Sequence, residues 1–255
     1  MHLSLIQIFG AMLTIGVRLT GMMLFAPFFG SVAIPPRVKA MLVIALTALL
    51  YPAVSAHIPA VTISQWPMIV FGELMVGIAL GIATNIVFDG VQMAGSILSV
   101  QMGYSLVNIL DPQTRVESTV VAQFHQTIAM LIFLRLEVHL WILRALAHSF
   151  DYLPPSSGHF GAGFAVAAMQ AGASVFAIGI QIAAPVLSAT LLSDIALGLL
   201  GKASPQLPLM LLGPAIKSIL GLVILTSALK YWPNLFEHLF LNSMRLGDRL
   251  LHLAQ

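Results

Sequence analysis

The chain has 255 residues, of which 59% are hydrophobic and 8% charged, with a formal net charge of +2 and no cysteine. A soluble domain needs roughly 25% charged residues to wet its surface, so a water-exposed globular protein is excluded. The missing thiols exclude disulfides, cysteine nucleophiles and thiolate metal sites, and the small dispersed charge excludes a nucleic-acid footprint.

The mean hydropathy of +0.98 and apolar runs longer than the roughly 18 residues of a bilayer-competent helix describe an integral membrane protein. Apolar segments fall at about 3–31, 40–56, 66–106, 120–148, 164–200 and 208–231, which predicts six helices. Long segments without period-two alternation exclude a closed barrel. Residues 1–17 hold no Lys or Arg, so the start reads as a first membrane helix and not as a cleavable signal. Arg37 and Lys39 in the first break, Arg115 in the third and Lys202 in the fifth place those breaks in the cytoplasm and the N-terminus outside. Lys230, Arg245 and Arg249 run against that alternation.

The run 66–106 would measure roughly 60 Å as one helix, twice the bilayer core of about 30 Å. Asp89-Gly90 offers a turn, but Asn85, Asp89, Gln92, Ser96 and Ser99 recur at spacings of four, three, four and three. That is one face of a continuous helix. Extended backwards the stripe reaches Gly81 and Gly77, a GxxxG pair that admits a close neighbour. Such a polar seam is costly in lipid. The pattern alone leaves helix packing and the lining of an aqueous passage equally open.

Next comes 100-VQMGYSLVNILDPQTRVES-118, which sets a Gly, a Tyr, an Asn, an Asp-Pro pair and three charges between two apolar segments. In the segments themselves lie Arg18, Glu73, Asp89, Arg135, Glu137, Asp194 and Lys217. Each would cost at least about 2.5–3.5 kcal/mol at a bilayer centre. Charges scattered along the chain, with no paired motif, favour protein interfaces over a proton relay, and Arg18, Glu73, Asp194 and Lys217 are read as interface charges. Of the eight histidines none stands three or four residues from another, so no metal centre is expected. No nucleophile elbow, Walker sequence or dinucleotide fingerprint is present. Neither a cofactor nor an enzyme is expected. Pro185 in 181-QIAAPVLSAT-190 predicts a fixed bend.

Several stretches, in order, resemble the FliR family of flagellar biosynthetic proteins, with its type III secretion injectisome counterparts. They are 25-FAPFFGSVAIPPRVKAML-42, 71-FGELMVGIALGIA-83, 92-QMAGSILSVQMGYSLVNILDP-112, 139-HLWIL-143 and 194-DIALGLLGKASPQLP-208. The Ile34–Lys39 stretch looks more like the flagellar branch. The turn Ala203-Ser204-Pro205-Gln206 departs slightly from the commoner Ala-Pro-Gln order.

The resemblance implies an all-α membrane-assembly protein of long kinked helices and helical hairpins. A FliP-like part, about 1–165, would be joined to a FliQ-like hairpin and C-terminal tail, about 166–255, with the hairpin itself at 169–231 and a cytoplasmic turn at 201–208 facing an FlhB-like protein. It implies one copy of this chain beside five FliP-like and four FliQ-like subunits, with an FlhA-like partner, in the flagellar basal body at the bacterial inner membrane. Unfolded flagellar substrates would pass through. It also implies a channel plug at about 105–118, with Met102, Gly103, Tyr104, Ser105, Leu106, Val107, Asn108, Ile109, Leu110, Asp111 and Pro112 as its residues. In such a plug the apolar members disfavour water, Asp111-Pro112 sets a bend, and Met102 and Gly103 supply a soft packing surface and a pivot. The alternative is a six-helix secondary transporter of a small solute, which requires an inverted repeat that the two halves do not display.

Overall fold

A computed structural model describes residues 5–27, 29–30, 34–55, 58, 65–104, 119–155, 157–158, 160–204, 206 and 209–254. Among these the chain is all-α. Helices α1 (Leu5–Phe25), α2 (Pro36–Val54) and α3 (Trp66–Gln101) are followed by α4 (Val120–Arg135), α5 (Val138–Tyr152) and α6 (Ala162–Ala203). A last pair, α7 (Leu209–Ala228) and α8 (Trp232–His252), is joined by the 3-10 turn Leu229–Tyr231. Five spans among the described residues are long and apolar enough to cross a membrane: Gln7–Phe25, Pro36–Val54, Trp66–Gln101, Ala162–Ala203 and Leu212–His252. The molecule is a membrane protein.

The segment 66–106 is one unbroken helix to Gln101, about 54 Å long at 1.5 Å per residue. Asp89-Gly90 does not turn it. The 164–200 run is likewise a single helix that continues through Pro185. The proline ring is exposed and the helix runs through it without a break, with Ser188 Oγ donating to the Pro185 carbonyl at 3.0 Å. Helix α2 begins four residues earlier than the hydropathy suggests because Pro36 occupies its first turn, where a missing N–H costs nothing.

Two expectations fail. The 120–148 segment is two helices, divided at Leu136–Glu137. Glu137 takes a left-handed conformation with φ 55°, which costs a non-glycine residue about 1–2 kcal/mol. Arg135 and Glu137 are exposed at this corner, so these charges mark a turn and not a span. The tally of six also omitted α8, whose Trp232, Phe236, Leu239, Phe240, Ser243, Leu250 and Leu251 are buried while Glu237 and Arg249 are not. Its short apolar stretches are diluted by charge, so hydropathy missed it. The three-and-four spacing of Trp232, Phe236, Leu239, Phe240 and Ser243 was the available signal.

The chain forms two compact units, each assembled from separated stretches. Unit 1 comprises 1–86, 137–172 and 240–255; unit 2 comprises 87–136 and 173–239. In unit 1, α1 and the first half of α3 lie parallel and very close. A Cβ on Gly77 would collide with Arg18 O and Met22 N, and one on Gly81 would sit 2.6 Å from Met22 O. Ile15, Val54 and Phe150 close a small core where α1, α2 and α5 meet. In unit 2, α4 returns antiparallel along the second half of α3. The position of a Gly95 Cβ falls on Ala122, and Phe88 meets Phe133 edge-on at 5.5 Å. Helix α6 crosses the same half of α3, with the backbone of Gly90 beside Ile178 and that of Gly179 beside Gly90 O.

Candidate functional site

Helix α3 ends by a specific mechanism. Gly103 N–H donates to Val100 O at 3.1 Å and Tyr104 N–H to Ser99 O at 2.9 Å. This is a Schellman cap, which needs a left-handed residue at its corner. Gly103 supplies it with φ +86°. The cap fixes the direction in which the chain leaves the helix.

The residues at this corner are seated on a hairpin made by α6 and α7. The two helices run antiparallel: Lys217 Nζ lies 2.9 Å from Asp194 Oδ1, and Leu197 lies against Gly213. Gln101 Nε2 donates to the other oxygen, Asp194 Oδ2, at 2.9 Å. Tyr104 OH and Ser218 Oγ are 2.5 Å apart, hydrogen-bonded with one hydroxyl donating to the other. Met102 is 1% exposed, with its side chain in the space that a Cβ on Gly221 would take. Gly103 faces Pro214 at 2.9 Å from its own Cβ position. The partners Pro214, Ser218 and Gly221 stand four and three residues apart, which is a single stripe of α7. Three consecutive residues thus have three complementary seats.

Of the expected plug residues, Met102, Gly103 and Tyr104 occupy this seat. Ser105, Leu106, Val107, Asn108, Ile109, Leu110, Asp111 and Pro112, with the remainder to Ser118, lie outside the described residues. The far end of the segment is again defined. Thr119 caps α4, its Oγ1 accepting the Ala122 N–H at 3.3 Å.

The polar seam of α3 divides along its length. Asp89 and Ser96 are exposed, Asn85 and Gln92 half-buried, and Ser99 is fully buried. The glycine pair points into α1. Successive four-residue steps drift by about 40° on a helix of 3.6 residues per turn, so Gly77 and Asp89 stand about 120° apart. Gly81 and Ser99, eighteen residues and five whole turns apart, share one bearing, so the glycine edge adjoins the buried edge of the polar stripe and Asp89 lies at its far, exposed edge.

The four interface charges pair inside the chain. Arg18 is 0% exposed and grips Glu73 with two bonds, Nε to Oε2 at 2.6 Å and Nη2 to Oε1 at 3.0 Å. Its remaining donors reach Ser149 Oγ at 2.8 Å and Leu153 O at 2.9 Å, and Phe150 stacks 3.8 Å from the guanidinium carbon. A guanidinium survives burial only when its donors are satisfied in this way. The close approach at Gly77, one turn along α3 from Glu73, is what brings the two charges within reach. Asp194 and Lys217 are the pair already described. At the surface of unit 1, Tyr152 OH donates to Asp248 Oδ1 at 3.3 Å and its ring stacks on His252. Burial first, and then the Asp248 charge, pushes the phenol up to about 12, so it remains a donor. Nothing in the sequence had pointed to Ser149, Ser218 or Tyr104 as polar partners, because lone hydroxyls in apolar runs carry no spacing signal.

Comparison with known proteins covers nearly the whole chain. Residues 9–243 match the family described as "Bacterial export proteins, family 1". A flagellar biosynthetic protein FliR of Pectobacterium carotovorum is 30% identical over 224 residues, covering 88% of this chain and 86% of the relative. FliR of Escherichia coli K12 is 28% identical over 226 residues, with 88% and 86% covered. FliR of Bacillus subtilis 168 is 29% identical over 226 residues, with 87% of each covered. The buried Arg18 cluster, the Schellman corner and its hairpin seat all lie inside the matched range, and the chain belongs to the FliR-type bacterial export proteins of family 1.

Proposed function

We propose that this chain is a channel-forming subunit of a flagellar type III protein export gate in the bacterial inner membrane. It takes part as one copy beside five FliP-like and four FliQ-like subunits, within the basal body. It has no catalysis of its own and lets unfolded flagellar substrates pass. Residues 105–118 act as a plug. A length of chain in a pore blocks it by volume, and Leu106, Val107, Ile109 and Leu110 disfavour water in the constriction. Residues 1–165 correspond to a FliP-like part and 166–255 to a FliQ-like hairpin and tail. The α6–α7 turn meets an FlhB-like protein, and an FlhA-like protein completes the partners. The exposed Asp89 and Ser96, with Gln92 beside them, give this half of α3 a polar face that suits an aqueous conduit or a partner helix better than lipid.

The observation that carries this reading is the seating of Met102, Gly103 and Tyr104 on α7, beside Gln101 on Asp194. A segment meant to block a pore needs a rigid foot, and α3 with its hairpin supplies one at one end, as α4 does at the other. Family membership adds the context of export. The test is deletion of residues 106–116 in a complex assembled with FliP- and FliQ-like partners. Assembly should persist while small ions leak across the membrane. Wild-type conductance in an assembled deletion complex would rule the plug out.

A further inference from the structure

We propose that Gln101, Tyr104, Asp194, Lys217 and Ser218 form a latch whose release is a required step of gate opening. The proposal rests on the plug reading above and specifies how the foot of that plug is held. Asp194 divides its two oxygens between Lys217 on the hairpin and Gln101 on α3. When Gln101 lets go, the carboxylate keeps its cation, so no buried charge is stranded. Asp194 is also 42% exposed at the side chain, which leaves room for a replacement partner. The second polar tie, Tyr104 to Ser218, is neutral and equally able to exchange. Met102 slots over Gly221 and Gly103 over the Pro214 ring, so shape adds to the two polar ties, with Met102 buried at the seat. The Arg18 cluster is built the opposite way: its guanidinium is fully buried, and separation from Glu73 would strand both charges. One site is a permanent rivet and the other a catch. Gln101, Tyr104 and Asp194 are positioning residues, acting on the plug through the direction of the stem.

The experiment uses the complex assembled with its partners and has two arms. In the first, Gln101→Leu with Tyr104→Phe removes both polar ties and leaves the Asp194–Lys217 pair intact. Small-ion leak should rise several-fold at normal complex mass, approaching that of the 106–116 deletion measured alongside. In the second, Met102→Cys with Gly221→Cys is introduced into this cysteine-free chain, and oxidation tethers stem to hairpin. Export of a flagellar substrate by this double-cysteine complex should be lost on oxidation and return on reduction, whereas complexes carrying either cysteine alone should show no such redox-dependent change. A role confined to folding would give no reversible loss. Undiminished export through a fully tethered complex overturns the latch. So does a tight Gln101→Leu/Tyr104→Phe complex beside a leaking deletion, an outcome that leaves the plug standing. If the deletion is also tight, the plug reading fails and the latch fails with it.

Discussion

Arg18 shows how a membrane protein tolerates a full charge in its interior. The guanidinium has five N–H donors, and bonds to Glu73, Ser149 and Leu153 engage all three of its nitrogens. The cost of burying such a pair is large, and its mutual attraction offsets that cost only while both members and their hydrogen bonds are present. Truncating one partner therefore has a different consequence from removing both. Arg18→Met leaves a lone carboxylate in the core and should destabilise the chain by about 3–5 kcal/mol. Glu73→Leu should do the same by leaving the guanidinium unpaired. The Arg18→Met/Glu73→Leu chain should recover most of that loss, because two apolar side chains of similar volume refill the site. Thermal unfolding of the detergent-solubilised chain measures all three. If the double variant is as unstable as the sum of the singles, the two residues are not a coupled pair. The sequence placed both residues in apolar helices but gave no ground for joining them, since 55 positions separate them and the contact depends on α1 lying against α3.

That approach is a property of helices and not of single side chains. Between α1 and α3 the backbones come close enough that Gly77 and Gly81 leave no room for a methyl group. On the same helix, Gly72 has nothing within 4 Å of where its Cβ would stand. The two positions should respond with opposite signs. Gly77→Ala forces the helices apart and should cost about 1–3 kcal/mol, the usual range for overpacking. Gly72→Ala meets open space and should gain up to about 1 kcal/mol from the higher helix propensity of alanine. Unfolding of the two purified variants under identical detergent conditions decides it, and equal effects would show that α1 does not rest on Gly77. The GxxxG spacing was legible in the sequence, as was the continuity of α3, because both are local patterns set by helical period. The α4–α5 corner was not. Its signal is a left-handed glutamate, a residue type that rarely adopts that conformation and so gives no warning. Helix α8 was lost for a related reason, since its charged face lowers the average that hydropathy reads. The seat of the stem could not be read at all, because Asp194, Lys217 and Ser218 meet Gln101 and Tyr104 only once α6 and α7 have folded back on each other.

At the scale of the whole molecule the question is what covers the apolar surface that the chain does not cover itself. Only 11% of the apolar window of α2 and 17% of that in Leu212–His252 is buried within the chain, against 56% for α3. Met41, Leu49, Leu192 and Ile219 are each two-thirds exposed or more. Apolar exposure alone is equally suited to lipid tails and to sister subunits, because the hydrophobic effect has no directional preference. Length separates the two. At about 1.5 Å per residue α6 spans about 63 Å, twice the hydrocarbon core of about 30 Å, so half of an apolar helix has no lipid to meet if it stands upright. On the reading proposed above, partner subunits cover what the chain itself leaves bare of that half. The absence of cysteine makes the distinction measurable with single substitutions Met41→Cys, Leu49→Cys, Leu192→Cys and Ile219→Cys. Each should react with a lipid-soluble maleimide when the chain is expressed alone, and labelling at most of these positions should fall several-fold when FliP- and FliQ-like proteins are co-expressed. The same preparations should shift from a lone chain to a single large mass in the intact solubilised complex. Labelling that stays constant at all four positions, in a complex of the expected mass, would mean that these faces serve the bilayer and that the partners bind elsewhere.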